Sequence, residues 1–297
     1  MKSVDTIIPV HRKQSYLERC ITSVLNQDYK NNKIYVVVNT PDEKVYQWIN
    51  SQFGNEINIL NSPNIGSSAA RNYGIIKSES EYVAFLDSDD IWYKSKLTEQ
   101  INFMKESSLE ISGTTMFYRT EENLSRIVIG KPNFKIDDIK NAEYAPFPLS
   151  TLVIKRSIIV ENNMFSEGLG STKYGQVEDV ELYSRLAVDN DIGILNKPLG
   201  EYLINNKSAT DLYFIKQRNS LISLGIERKN NNFSKLEKLN NFKNKKKRAY
   251  SEFIEYKVLL KYIDGKYIKS SYYFFVMLLL KPITSLKKIN QILKRSF

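Results

Sequence analysis

The 297-residue chain has one cysteine, one histidine and no apolar run longer than the nine residues from Tyr272 to Leu280. A lone Cys20 cannot close an internal disulfide, which excludes a small disulfide-stapled scaffold. Nine residues fall well short of the roughly 20 that a helix needs to span a bilayer. No transmembrane helix is expected, and a processive synthase built on membrane spans is excluded with it. Met1 leads into a charged, strand-like segment rather than a basic and then apolar leader, so the cytosol is the expected location. What is present is an ordinary globular share of apolar residues, 42%, enough to bury one large domain and a smaller appendage.

Charge is unevenly spread. Residues 1–215 hold 23 Lys and Arg against 28 Asp and Glu, a balance of −5, and residues 216–297 hold 20 against 5, a balance of +15. Only the tail implies an anionic partner, a membrane surface or a nucleic acid. From Asp211 onward the periodicity is helical. Pro282 can open a helix whose Ile283, Leu286, Ile289 and Leu293 form one stripe, with Lys287, Lys288, Lys294 and Arg295 off it. Together with Tyr272 to Phe275 this basic amphipathic pattern suits docking on an anionic bilayer, against the plainer reading that the stripe packs on the main domain.

The first 120 residues alternate between β-branched runs and helical spacing. Thr6–Val10, Ile34–Val38, Ile57–Leu60 and Tyr82–Leu86 read as buried strands, and Leu17, Ile21, Val24 and Leu25 repeat as a helix. That βαβα order predicts an α/β fold with a mostly parallel sheet and helices on both faces, whose ligands sit beyond the carboxyl ends of the strands. A polar stretch from Thr120 to Ala145 interrupts the pattern. Leu152–Ile154, a helix over Asp179–Val188 and Ile192–Leu195 follow.

Two segments after strands carry chemistry. The strand Tyr82–Leu86 runs into Asp87, Ser88, Asp89 and Asp90, where Asp87 and Asp89 can turn hard oxygen ligands toward one Mg²⁺ or Mn²⁺. The plainer alternative is that Asp89 or Asp90 caps a helix starting near Trp92. Upstream, Asn64, Gly66 and the small residues after it can open a helix whose free amides face an anion, with Arg71 a turn later. The alternative there is close helix packing. Further on, Glu178 and Asp179 begin a helix in which Glu181 and Arg185 are spaced for an exposed ion pair. A Gly-rich stretch, Gly168 to Gly175, precedes it as a mobile loop.

Taken in order, Ile7–Val10, Tyr16–Arg19 with Ser23–Gln27, Asn64–Gly74, Phe85–Asp90 and Glu178–Asp179 resemble the family 2 glycosyltransferases of the GT-A fold, over roughly residues 3–205. The resemblance implies a catalytic domain at 1–210, its nucleotide half at 1–115 and acceptor half at 116–210, followed by a basic helical region at 211–297. It implies an inverting enzyme that moves a sugar from a nucleotide diphosphate to a saccharide or lipid-linked saccharide acceptor in surface-polysaccharide synthesis. Pro9, His11, Asn39, Asn64, Gly66, Arg71, Asp87 and Ser88 then face the donor nucleotide, Asp87 and Asp89 hold Mn²⁺ or Mg²⁺, Asp179 is the base, and Glu178 and Trp92 meet the acceptor. Three positions depart from the family. His11 stands where an aromatic tyrosine is usual, and Val38–Asn39 replace two aspartates, one of which accepts a hydrogen bond from uracil. The Asn39 amide can still accept that bond or donate another, so a UDP-sugar is retained while other bases gain weight. As an ionised Asp of ordinary pKa, near 3.9, Asp179 is expected to act through position. A non-catalytic nucleotide-sugar or nucleic-acid binding module is the competing class, and nucleic acid is not the expected partner because such a module needs no base opposite a metal site.

Overall fold

The structure is a computed structural model that describes residues 2–12, 15–140, 144–167 and 178–204. The Gly-rich loop before Glu178 and the basic tail lie outside the described residues. The chain divides into two compact units, one of residues 1–116, 129–171 and 178–202, the other of 117–128, 172–177 and 203–297.

The first unit is built on a parallel core of β1 (Val4–Val10), β2 (Asn32–Val38), β3 (Asn58–Asn61) and β4 (Tyr82–Phe85). These strands alternate with α1 (Leu17–Leu25), α2 (Glu43–Phe53) and α3 (Ser67–Lys77). β1 is central, with β2 on one side in register Ile7↔Tyr35 and β4 on the other in register Ile7↔Phe85. Pairing with β4 stops at Ile7, so Pro9, which has no N–H to give, lies where only β2 runs alongside. After β4 come β5 (Ile91–Trp92), α4 (Lys96–Glu106) and β6 (Ile111–Arg119). The expected helix start near Trp92 is therefore a short strand, and the helix begins four residues later. β7 (Leu124–Ile129) and α5 (Ile136–Lys140) occupy the polar stretch, and β8 (Val153–Lys155), α6 (Arg156–Glu161), α7 (Glu178–Asp189) and β9 (Ile192–Leu203) complete the described elements. Among the described residues the sheet order is β3-β2-β1-β4-β8-β6-β9-β5, with β7 against β6. β8 runs antiparallel to both β4 and β6, and β5 antiparallel to β9.

Side-chain alternation explains the layers. Val4, Ile8, Val10, Val36, Val38, Tyr82, Ala84 and Leu86 share one buried cluster with α1, α2 and α4, through residues such as Ile21, Ile49 and Leu97. Ile7, Tyr35, Val37, Val83 and Phe85 point the other way into a second cluster with α3, α5, α6 and α7. The two-residue period of the strands thus feeds two cores, one on each face. α3 packs tightly on the sheet at Gly74, where an added Cβ would fall 2.6 Å from Ile7 Cγ2. The small residues of this helix do serve close packing. In the second unit the described backbone closes a turn at Thr120–Asn123 (2.8 Å) and joins Ile204 N–H to the Arg119 carbonyl (2.7 Å).

Candidate active site

The carboxyl ends of β1, β2, β3 and β4 lie along one edge, and the residues singled out above gather there. Gly66 precedes α3 with φ +125°, a backbone conformation that a side chain would strain, so the glycine sets how the chain enters the helix. One turn into α3, Arg71 is buried, its side chain 4% exposed, with NH2 2.6 Å from Asp87 Oδ1 and NH1 2.9 Å from Glu178 Oε1. Burial alone lowers the affinity of this guanidinium for its proton, but Asp87 and Glu178 reverse that effect and hold it charged. Ser67 adds a hydroxyl to the same Glu178 oxygen at 3.1 Å. Sequence reasoning gave Arg71 to phosphate and Glu178 to the acceptor. In the structure they hold each other, and Glu178 Oε2 is buried without a hydrogen-bond partner among the described residues.

The acidic loop is pinned from beneath. The Asp87 N–H donates to Ser150 Oγ (3.1 Å), and Ser150 donates in turn to Asp90 Oδ2 (2.5 Å). The Cys20 thiol lies 3.4 Å from the Asp87 carbonyl, which also accepts the Asp90 N–H at 3.0 Å. Asp90, 1% exposed, is thereby a buried support, whereas Asp87 keeps a third of its side chain open. Asp89 and Ser88 are partly exposed beside it. Among the described residues no three acidic, histidine or cysteine side chains form a cage for a metal ion. Two carboxylates fit Mg²⁺ or Mn²⁺ that is completed by substrate phosphate and water, and this loop carries two partly exposed carboxylates, Asp87 and Asp89.

Trp92 departs from expectation. It is 2% exposed, its indole N–H donates to the Ser150 carbonyl at 2.6 Å, and the Lys96 amine sits 3.6 Å from its ring centroid. Such a ring supports the acidic loop from the interior and presents no face to an acceptor. Lys96 is itself fully buried, and its amine has no hydrogen-bond partner among the described residues; burial holds its pKa well below the ordinary lysine value. The signal was available, because Lys96 and Gln100 share a helical face with Leu97, Ile101 and Met104.

At the base of α7, Asp179 Oδ1 accepts the Val180 N–H at 2.7 Å. Burial, and then the charge of Glu178, push its pKa up to about 7, with Val180 and Arg71 acting in the opposite sense. The expectation of an ordinary Asp pKa is corrected. The expected exposed Glu181–Arg185 pair also differs: Glu181 is largely buried, and the guanidinium reaches it at 2.8 Å while donating to backbone carbonyls as well. On the other side of the edge, His11 Nδ1 lies 3.2 Å from the Oδ1 of buried Asn39. Pro9 is buried within β1, Gly66 is partly covered, and exposed Asn64 donates to Glu167 at 3.4 Å. Ser150, Cys20 and Glu167 were not picked out by the sequence, and only Ser150, polar within the apolar run from Phe147 to Ile154, offered a cue.

The chain as a whole falls into a known class. The family description "Glycosyl transferase family 2" fits residues 5–159, more than half of the chain, and the chain belongs to that family. It is 28% identical over 220 residues to the Escherichia coli O-antigen biosynthesis glycosyltransferase WbnJ, covering 69% of this chain and 81% of that one. It is 29% identical over 223 residues to an uncharacterized glycosyltransferase of Rickettsia bellii, covering 74% of this chain but 31% of the relative. An uncharacterized glycosyltransferase of Haemophilus influenzae, 31% identical over 163 residues, is covered to 64% against 54% of this chain. The fold matches S. aureus TarS 1–349 in complex with UDP-GlcNAc, with TM-score 0.59 and 18% identity over 92% of this chain and 90% of that one. It also matches the mannosyltransferase PcManGT from Pyrobaculum calidifontis in complex with GDP-Man and Mn²⁺, with TM-score 0.57 and 11% identity over 98% and 80%. The architecture is therefore the expected GT-A arrangement. No helix among the described residues is long and apolar enough to cross a membrane.

Proposed function

We propose that the protein is an inverting glycosyltransferase that moves a sugar from a nucleotide diphosphate to a hydroxyl of a saccharide or lipid-linked saccharide. The observation that carries this reading is the placement of Asp179, its pKa raised to about 7, on a helix base whose neighbour Glu178 is bonded to Arg71, which in turn grips Asp87. A general base is most useful when its pKa lies near the working pH.

The nucleotide lies along the carboxyl ends of β1 and β2, with Pro9, His11 and Asn39 about the base and Asn64, Gly66, Arg71, Asp87 and Ser88 toward ribose and diphosphate. Asp87 and Asp89 would hold a divalent ion, which when bound neutralises the departing diphosphate. Asp179 takes the proton of the acceptor hydroxyl on the oxygen not held by Val180. The acceptor oxygen forms its bond to the anomeric carbon, and the carbon–phosphate-oxygen bond breaks with its electron pair leaving on the nucleoside diphosphate. Attack opposite the leaving group inverts the anomeric centre. Glu178 offers its remaining oxygen to acceptor hydroxyls, and Arg71 holds Glu178 and Asp87 in place through its two bonds.

The relatives support these classes. WfaP of E. coli, 26% identical over 233 residues, carries the name UDP-Glc:alpha-D-GlcNAc-diphosphoundecaprenol beta-1,3-glucosyltransferase. A lipid-linked acceptor would be met at an anionic membrane surface, and the basic tail suits that docking. Flotation with anionic liposomes, comparing the full chain with one ending near residue 210, tests the tail, and equal recovery removes it from the proposal. The donor is tested by a thermal-shift panel of nucleoside diphosphates with and without Mn²⁺. A ligand selective for the folded state at 100 times its Kd stabilises by about 2.7 kcal/mol. A shift for UDP that requires Mn²⁺ is expected, and the absence of any shift across the panel defeats the reading.

A further inference from the structure

The loop at residues 162–167, between α6 and the base of α7, is held on two sides by side chains that the proposed chemistry does not use. On the α3 side, buried Asn72 gives its amide N–H to the Phe165 carbonyl at 2.9 Å and takes the Phe165 N–H at 2.9 Å, with a further contact to Glu167 at 3.3 Å. On the α7 side, Arg185 donates to the carbonyls of Asn162 and Met164, the latter at 2.6 Å, and is anchored by Glu181, which also accepts the Ser166 hydroxyl at 3.1 Å. Asn163 and Met164 carry φ values of 59° and 50°, left-handed backbone that persists where the surroundings impose it. Between the two sides, the buried Phe165 ring lies 5.5 Å from the Arg71 guanidinium carbon and packs edge-on against Phe85 at 5.2 Å and 82°. Phe85 is the last residue of β4 and stands two places before Asp87.

We infer that this loop is a bracket joining α3 to α7, that it sets the spacing between Arg71 and the Glu178–Asp179 pair, and that Asn72 and Arg185 are positioning residues for transfer. Asparagine is suited to its side because one amide satisfies both polar groups of the Phe165 backbone. Arginine is suited to the other because its fork serves two carbonyls and a carboxylate at once. The role in turnover rests on the proposed transfer activity, while the mechanical role does not.

The test uses the full chain and its Asn72→Ala, Arg185→Met and double variants, and follows amide exchange over 178–189, with α4 as internal reference. It also follows Mn²⁺-dependent affinity for the nucleoside diphosphate selected by the thermal-shift panel, and turnover of the corresponding nucleotide sugar. Each single variant is expected to exchange faster in α7 and not in α4, and to lose roughly 10²-fold in kcat, the scale of a misplacement near 1 Å, with nucleotide affinity retained. Because both variants cut one bracket, the double variant should fall only about threefold below the lower single. Unchanged α7 exchange overturns the bracket, as does a product of two independent losses or an affinity loss matching the loss in kcat. If the parent protein shows no turnover, the transfer reading fails and the exchange comparison still decides the mechanical role. Should Asn72→Ala fail to fold, Asn72→Asp, which keeps the acceptor and loses the donor, carries the same comparison.

Discussion

Replacing Asp179 by asparagine should make the protein more stable and inactive at once. In the folded chain burial and the charge of Glu178 raise the Asp179 pKa from the ordinary 3.8 to about 7. The unfolded chain releases that proton near 3.8, so between these values folding takes up a proton and stability falls as pH rises. Below about pH 4 the carboxyl is neutral in both states and costs nothing. Above about pH 7 the full difference applies, about 4 kcal/mol at 1.36 kcal/mol per pH unit. Asparagine stays neutral and can keep the bond from Val180. Its advantage should be about 1.5 kcal/mol at pH 5 and up to about 4 kcal/mol at pH 8. For a domain of this size that is on the order of 10 °C in Tm. Circular dichroism melts of both proteins at pH 5, 6, 7 and 8, without metal or nucleotide, give the comparison. A Tm difference that does not grow with pH, or a less stable variant at pH 8, refutes the argument.

Three further outcomes follow from the same contacts. The rate of sugar transfer should rise with pH as Asp179 loses its proton near pH 7, and a pH–rate profile already flat from pH 5 upward counts against Asp179 as the base. Ser150→Ala should cost about 2 kcal/mol in urea unfolding, because the Asp87 N–H and the buried Asp90 carboxylate both lose the bond to the Ser150 hydroxyl; a change within about 0.5 kcal/mol would mean that the acidic loop is held otherwise. Lys96→Met should stabilise by about 1–3 kcal/mol near neutral pH by removing a buried amine that has no hydrogen-bond partner among the described residues. Because burial lowers the Lys96 pKa in the fold, the parent gains stability as pH rises toward the ordinary lysine value, and the methionine variant should lack that gain. Parallel stability curves for the two proteins contradict this.

The parallel core was legible because its strands are short apolar runs after polar turns, and Asp87 and Asp89 stood out because charge at the end of a buried strand needs a reason. β6 was not legible. Its Ser112, Thr114 and Thr115 are fully buried hydroxyls that erase the apolar alternation, and of the three Gln100 reaches only Ser112 from α4. Trp92 misled because an aromatic after an acidic loop looks like a platform for sugar. The burial that makes it a support comes from Lys96 and Ser150, which are distant in role and, for Ser150, in sequence. Glu178 and Arg71 were each identified, but their contact spans 107 positions and no local pattern announces it. The pKa of Asp179 lay further out of reach, since it depends on how the fold covers a helix end that reads as solvent-exposed.

The most direct test of metal-dependent transfer compares Asp179→Asn and Asp89→Ala with the parent in two assays. One is calorimetric binding of the nucleoside diphosphate selected by the thermal-shift panel, with and without Mn²⁺; the other is release of that diphosphate from its sugar conjugate. Asp179→Asn should bind as the parent does and release nothing above background, whereas Asp89→Ala should lose the part of binding that depends on Mn²⁺. Turnover by Asp179→Asn at the parent rate, or Mn²⁺-dependent binding unchanged in Asp89→Ala, contradicts the assignment of base and metal site.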